Sequence, residues 1–179
     1  MSGPGARADR GRQHPPGVVP EVAGQGQESV WDYPRPPALL RDTRTVVVLF
    51  GGEVARTDAA YRVCETSHPP TWYLPREAFR PGALRPVDGG SFCEWKGAAS
   101  YLDLVASDGR TAARAAWTYP SPTAAFVDLT DHVALYPAAV DEITVAGEVV
   151  RAQPGSFYGG WITDDVVGPF KGAPGSMGW

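Results

Sequence analysis

Four side chains able to ligate a metal or attack a carbon centre stand out: Cys64, Glu65, His68 and Cys93. A structural zinc site takes four ligands, usually paired at C-x₂₋₄-C or H-x₃₋₅-H spacing. Here Cys64-x₃-His68 is one loose pair, Cys93 stands alone and no CxxC occurs, so neither a metal nor a cofactor is expected. A thiol mechanism is the next chemistry: Cys93 as nucleophile, with His68 as base or with the Lys96 ammonium favouring the thiolate. Cys93, Lys96 and Glu65 are the candidate catalytic residues. On a regular strand positions 93 and 96 face opposite sides, so the pair requires a bend, and Gly97 follows directly. The competing reading buries Cys93 as a small hydrophobe and pairs Lys96 with a carboxylate such as Glu65.

Phosphate chemistry has little to stand on, because neither G-x-x-x-x-G-K-[ST] nor a strand-linked G-x-G-x-x-G is present. Gly51-Gly52 and Gly89-Gly90-Ser91 read as turns, and Asp164-Asp165 as a solvated turn in a glycine-rich segment. The aromatics are more informative. Trp72, Tyr73, Trp95, Trp117, Tyr119, Tyr136, Phe157, Tyr158 and Trp161 exceed what a core of this size needs. Buried indole N–H and phenol O–H groups require partners. Such residues either line a concave site or fill space between sheets, and the residues leave both open.

The elements that must position these groups are strands. Arg44–Phe50, Gly51-Gly52 and Glu53–Arg56 predict a hairpin with a positive-φ turn. Tyr61–Glu65 and Thr71–Leu74 follow, with Pro75–Phe79 able to start one helical turn. Ser91–Lys96 is short and extended. Tyr101–Ala106, Asp108-Gly109 and Thr111–Tyr119 form the clearest hairpin, and His132–Tyr136, Val140–Val145 and Glu148–Arg151 complete the set. Seven to nine strands at this spacing predict a sandwich or open barrel.

Composition agrees. Of 179 residues, 21 are Gly and 18 are Pro, which excludes long helices, while 43% hydrophobic residues suffice for one core. A net charge of -4 and a pI near 5.3 give no positive field to collect nucleic acid. The longest apolar run, Val46–Phe50, is too short to cross a membrane. The N-terminus lacks a signal-like apolar stretch, so a cytoplasmic protein with two reduced cysteines is expected. Residues 1–27 read as a disordered tail and 28–43 as an N-terminal arm carrying Trp31 and Tyr33. The β domain spans 44–152, and 153–179 form a Gly/aromatic arm that packs on it.

Five ordered motifs between residues 44 and 145 then carry a resemblance. They are Phe50-Gly51-Gly52-Glu53-Val54, Arg62-Val63-Cys64-Glu65-Thr66 followed by His68-Pro69-Pro70-Thr71-Trp72-Tyr73-Leu74-Pro75, Cys93-Glu94-Trp95-Lys96-Gly97-Ala98-Ala99-Ser100-Tyr101, Ala116-Trp117-Thr118-Tyr119-Pro120-Ser121-Pro122, and Tyr136-Pro137 with Val140-Asp141. The set resembles the DUF427 family of uncharacterised bacterial and fungal proteins, in its longer variant with flanking arms. The resemblance implies a mainly β fold of the β-tent or Mss4-like kind: two antiparallel sheets packed at a steep angle, with few or very short helices. Members of that wider group bind zinc through paired CxxC motifs, which this chain lacks, or hold small ligands in aromatic cages. A nucleotidyltransferase-like label attaches to the family, but the glycine-serine and paired-aspartate chemistry of such transfer is missing here.

The leading expectation is a small-molecule-binding β domain with an aromatic pocket between the sheets. Trp72, Tyr73, Trp117, Tyr119 and Tyr136 would form its walls, and Glu65, Thr66 and Lys96 would orient an anionic or planar ligand. An enzyme using Cys93 is the first alternative. A homodimer joined through the aromatic arms is the second.

Overall fold

A computed structural model describes residues 14–179. Its strands, in chain order, are β1 (Glu28–Ser29), β2 (Ala38–Asp42), β3 (Val46–Leu49), β4 (Glu53–Thr57), β5 (Ala60–Cys64), β6 (Thr71–Pro75), β7 (Leu84–Cys93) and β8 (Gly97–Val105). They continue with β9 (Thr111–Thr118), β10 (His132–Leu135), β11 (Glu142–Val145), β12 (Glu148–Val149), β13 (Arg151–Ala152), β14 (Trp161–Ile162) and β15 (Val166–Val167). Among the described residues the helical pieces are 3₁₀ turns of three to six residues. The fold is mainly β, as the breaker-rich composition predicts.

Two antiparallel sheets carry the architecture. The larger has seven strands in the order β2-β5-β6-β10-β9-β8-β7, and the smaller has four in the order β12-β11-β3-β4. The β3–β4 hairpin turns through Gly51 and Gly52, both at positive φ, and alternation on β3 buries Val46 and Val48. These valines meet Trp72, Leu74, Leu102, Leu104, Val133 and Leu135 of the large sheet in one core. Burying each such side chain contributes about 1.5–3 kcal/mol.

Strand β7 departs from expectation. It runs ten residues, where only Ser91–Lys96 was predicted to be extended, and it passes through Pro86, Gly89 and Gly90. It tolerates them because it is the edge of the sheet and its pairing with β8 shifts register between Pro86 and Gly90. Glycine is required at position 90, since a Cβ there would lie 2.5 Å from the Ala99 carbonyl oxygen.

Residues at both ends of the described chain pack together. β1 pairs in parallel with β15, and β13 pairs antiparallel with β14. Trp31 Nε1 donates to Pro169 O at 2.9 Å and Glu21 N to Gly168 O at 2.8 Å. An ionic chain fastens these segments to the large sheet. Arg62 bridges Glu28 and Asp42, and Arg44 bridges Asp42 and Asp165, the latter at 2.8 Å. Both guanidinium groups lie over the Trp72 ring, at 5.2 Å for Arg44 and 5.9 Å for Arg62. No helix among the described residues is long and apolar enough to cross a membrane.

Candidate functional site

Strand alternation divides the aromatics between the two faces of the seven-stranded sheet. On β6, Trp72 and Leu74 point into the core between the sheets and Tyr73 points to the opposite, outer face. Trp117, Tyr119, Tyr136 and Tyr101 share that outer face, and the 3₁₀ segment Ala124–Leu129 lays Phe126 and Leu129 over it. Beside this layer opens a cavity of about 250 Å³ walled by Tyr73, Tyr101, Trp117, Tyr119 and Tyr136. The aromatic pocket therefore lies outside the sheet pair and not between the sheets. The inter-sheet space is filled by aliphatic side chains and by Trp72, which stacks on Trp161 at 5.5 Å and 12°.

Six of the eight predicted ligand-binding residues line this cavity: Glu65, Tyr73, Lys96, Trp117, Tyr119 and Tyr136. Trp72 does not, because adjacent strand residues cannot face one side. Thr66 does not either. Its Oγ1 donates to Tyr33 O at 2.6 Å, so it serves to hold the N-terminal segment.

The floor is the β7–β8 turn. Cys93 pairs with Gly97, and Gly97 has φ +97°, so the chain reverses over Glu94–Lys96. This is the bend the Cys93–Lys96 pair requires, and both residues line the cavity. Thr123 fixes the turn from outside, its Oγ1 donating to Trp95 O at 2.6 Å and its N to Lys96 O at 3.2 Å. The Lys96 residue is 9% exposed. Its Nζ lies 5.7 Å from the Tyr119 ring and 5.9 Å from Phe126. The expected Lys96–Glu65 pair is absent. Glu65 meets Arg35 at 3.1 Å, and no ion pair among the described residues includes Lys96.

His68 enters from the β5–β6 loop, which Ser67 anchors by donating to Val30 O and accepting from Lys171 N. Its Nδ1 is 3.0 Å from Thr66 O. A carbonyl only accepts, so Nδ1 carries the proton and Nε2 the lone pair of the neutral ring. Burial holds the His68 pKa below its ordinary value. Burial also raises the Tyr119 phenol, with Cys93 adding to the effect, and raises Tyr73 well above the usual range. Both phenols stay neutral at physiological pH. The two thiols sit apart. Cys64 packs with Val30, Trp31 and Tyr33, and burial pushes its pKa up to about 11, whereas Cys93 is partly exposed at the cavity.

The remaining wall comes from the segment after the β domain. Gln153, Phe157, Tyr158 and Gly159 line the cavity. Gln153 closes the loop on itself, its N donating to Gly160 O and its Oε1 accepting from Gly160 N, and its Nε2 reaches Lys171 O at 2.8 Å. Gly159 lies flat on Trp117, where a Cβ would come within 2.3 Å of the indole. Tyr158 meets the His68 ring edge-on at 4.8 Å. Sequence reasoning assigned no site role to Tyr101, Gln153 or Gly159. Tyr101 was findable, since it lies opposite Trp117 in the β8–β9 register, while nothing in the sequence marks Gln153.

No curated protein matches the chain. A family model described as Domain of unknown function (DUF427) matches residues 38–146. The match runs from β2 to the turn after β11, so it contains the sheet walls and the Lys96 turn but not the covering loop at 153–159. With most of its length inside that match and the five motifs in order, the chain belongs to the DUF427 family.

Proposed function

We propose that this protein binds a small planar anion in the outer-face cavity. The observation that carries the reading is Lys96: a nearly buried ammonium, packed on two rings, with no carboxylate partner among the described residues, at the floor of an aromatic cavity. Burying an unpaired charge is costly, and an anionic ligand supplies the missing partner while its ring packs on Trp117 and Tyr136. The volume lies just under the roughly 300 Å³ where typical ligand pockets begin, which favours a ligand of one or two rings.

The test is calorimetric titration with 2-naphthoate at low ionic strength. Wild-type protein should bind it, Lys96→Met should weaken binding at least tenfold, and added salt should weaken it in wild type. Absence of binding to the wild type at millimolar 2-naphthoate, or equal affinity in Lys96→Met, overturns the reading.

A second reading makes Cys93 a reactive thiol, favoured by one observation: His68 and Cys93 line the same cavity, and Nε2 is the basic atom of the His68 ring. Iodoacetamide should then alkylate Cys93 at least tenfold faster in wild type than in His68→Gln. Ordinary slow alkylation removes it. Dimerisation through the arms is the weaker reading, because Trp161 is wholly buried within its own chain.

A further inference from the structure

The cavity does not end at Tyr136. A second hollow of about 420 Å³ continues from it and shares Tyr101, Tyr136, Gln153 and Tyr158 with the first. The exposed Arg114 lines this second hollow, with its guanidinium 4.2 Å from the centre of the Tyr101 ring. Nη1 of Arg114 donates to Asp88 O at 3.2 Å. The nearby Asp103 carboxylate is held by Arg85 at 2.7 Å and by the backbone N of Arg114, leaving the Arg114 guanidinium outside every ion pair among the described residues. Arg41, Arg76 and Arg80 are likewise outside the ion pairs of the described residues, but of these four arginines only Arg114 lines a hollow of the aromatic groove.

Lys96 thus lines one of the two adjoining hollows and Arg114 the other. Tyr101, beneath Arg114, faces Trp117 across the β8–β9 register, and Tyr119, beneath Lys96, follows Trp117 by two residues just past the end of β9, a step of about 7 Å along an extended chain. We infer that the groove takes an elongated planar dianion, with one acidic group at Lys96, a ring system across Trp117 and Tyr136, and a second acidic group on the Arg114 fork. Guanidinium offers paired donors that match a carboxylate or phosphate. This inference rests on the anion-binding reading above and specifies the ligand's length and charge.

The experiment compares naphthalene-2,6-dicarboxylate with 2-naphthoate by calorimetry at low ionic strength, on wild type, Arg114→Met and Arg114→Lys. The dicarboxylate should bind wild type at least tenfold tighter than the monoacid. Arg114→Met should bring it down to the monoacid's affinity while leaving 2-naphthoate unchanged, and Arg114→Lys should recover part of the loss. Equal affinities of the two probes for wild type, or an equal loss for both in Arg114→Met, overturn the two-ended site and leave the single-anion pocket standing. Failure of both probes to bind wild type overturns the two-ended site and the pocket reading together.

Discussion

The two faces of the seven-stranded sheet are built from the same strands and do different work. Its inner face meets the small sheet through valines, leucines and the Trp72–Trp161 stack in one continuous core. The outer face carries tyrosines and Trp117, and it retains a hollow that Cys93, Lys96 and His68 also line. On β6 the change happens between consecutive residues, Trp72 and Tyr73. Close packing gives the inner face stability, because every apolar group there touches others. The outer face keeps polar tips and open volume, which cost stability and suit it to a ligand. Conserving total burial is therefore a poor guide to function in this fold, and the face on which a residue sits is a better one.

Substitutions that enlarge or erase this contrast should rank by face. Trp72→Ala opens the inner core and removes the stack with Trp161, and should cost about 3–5 kcal/mol in denaturant unfolding. Tyr136→Ala on the outer face, where the side chain is only half-buried, should cost less than half as much. Comparable losses at the two positions would show that the outer face is packed as tightly as the inner.

Gly159→Ala tests the covering loop. Its methyl group cannot coexist with Trp117 at the present spacing, so a penalty of about 1–3 kcal/mol is expected, with faster proteolysis within residues 153–160 than in wild type. An unchanged digestion pattern would mean that the loop does not rest on Trp117 in solution.

The pH dependence separates the faces further. Burial lowers the His68 pKa from its ordinary 6.5, so the unfolded chain binds the proton more readily than the folded one. Stability is therefore full above about pH 6.5 and declines as pH falls below it. His68→Gln should flatten the slope of unfolding free energy between pH 7 and 5. A slope that persists in the variant would assign it to other groups.

The smallest stability effect is expected at Lys96. Lys96→Met removes a buried cation that has no carboxylate partner among the described residues and keeps contact with Tyr119 and Phe126. Its melting temperature should equal or exceed that of wild type, even as 2-naphthoate binding falls. A marked drop in melting temperature would recast Lys96 as structural.

Much of the fold is legible in the sequence, and the reasons are local. Arg44–Phe50 with Gly51-Gly52, and Tyr101–Ala106 with Asp108-Gly109, carry their own turn chemistry, and both hairpins form. Strand β7 escapes because proline and paired glycines, ordinary breakers, are tolerated on an edge strand with a register shift. At the site, Tyr73, Trp117, Tyr119 and Tyr136 lie together, but on the outer face of the large sheet and not between the sheets; period-two alternation keeps Trp117 and Tyr119 on one side. That same rule excludes Trp72 from the cavity, a consequence that the adjacency of Trp72 and Tyr73 already contains.

Partner choice is a different matter. Residue types alone pair Glu65 with Lys96, yet Glu65 meets Arg35, an arginine from the segment before β2 that a loop contact brings alongside it. The amino-acid sequence by itself determined that the chain would form short strands, where the hairpins turn, and which aromatics share a side, because backbone propensity, turn geometry and alternation act over a few residues. Only the tertiary structure decided that the aromatic cavity lies outside the sheet pair and that Lys96 and Arg114 meet no carboxylate among the described residues. It also decided that residues 153–159 close the wall. These outcomes depend on which distant segments come together, and short-range periodicity carries no information about that.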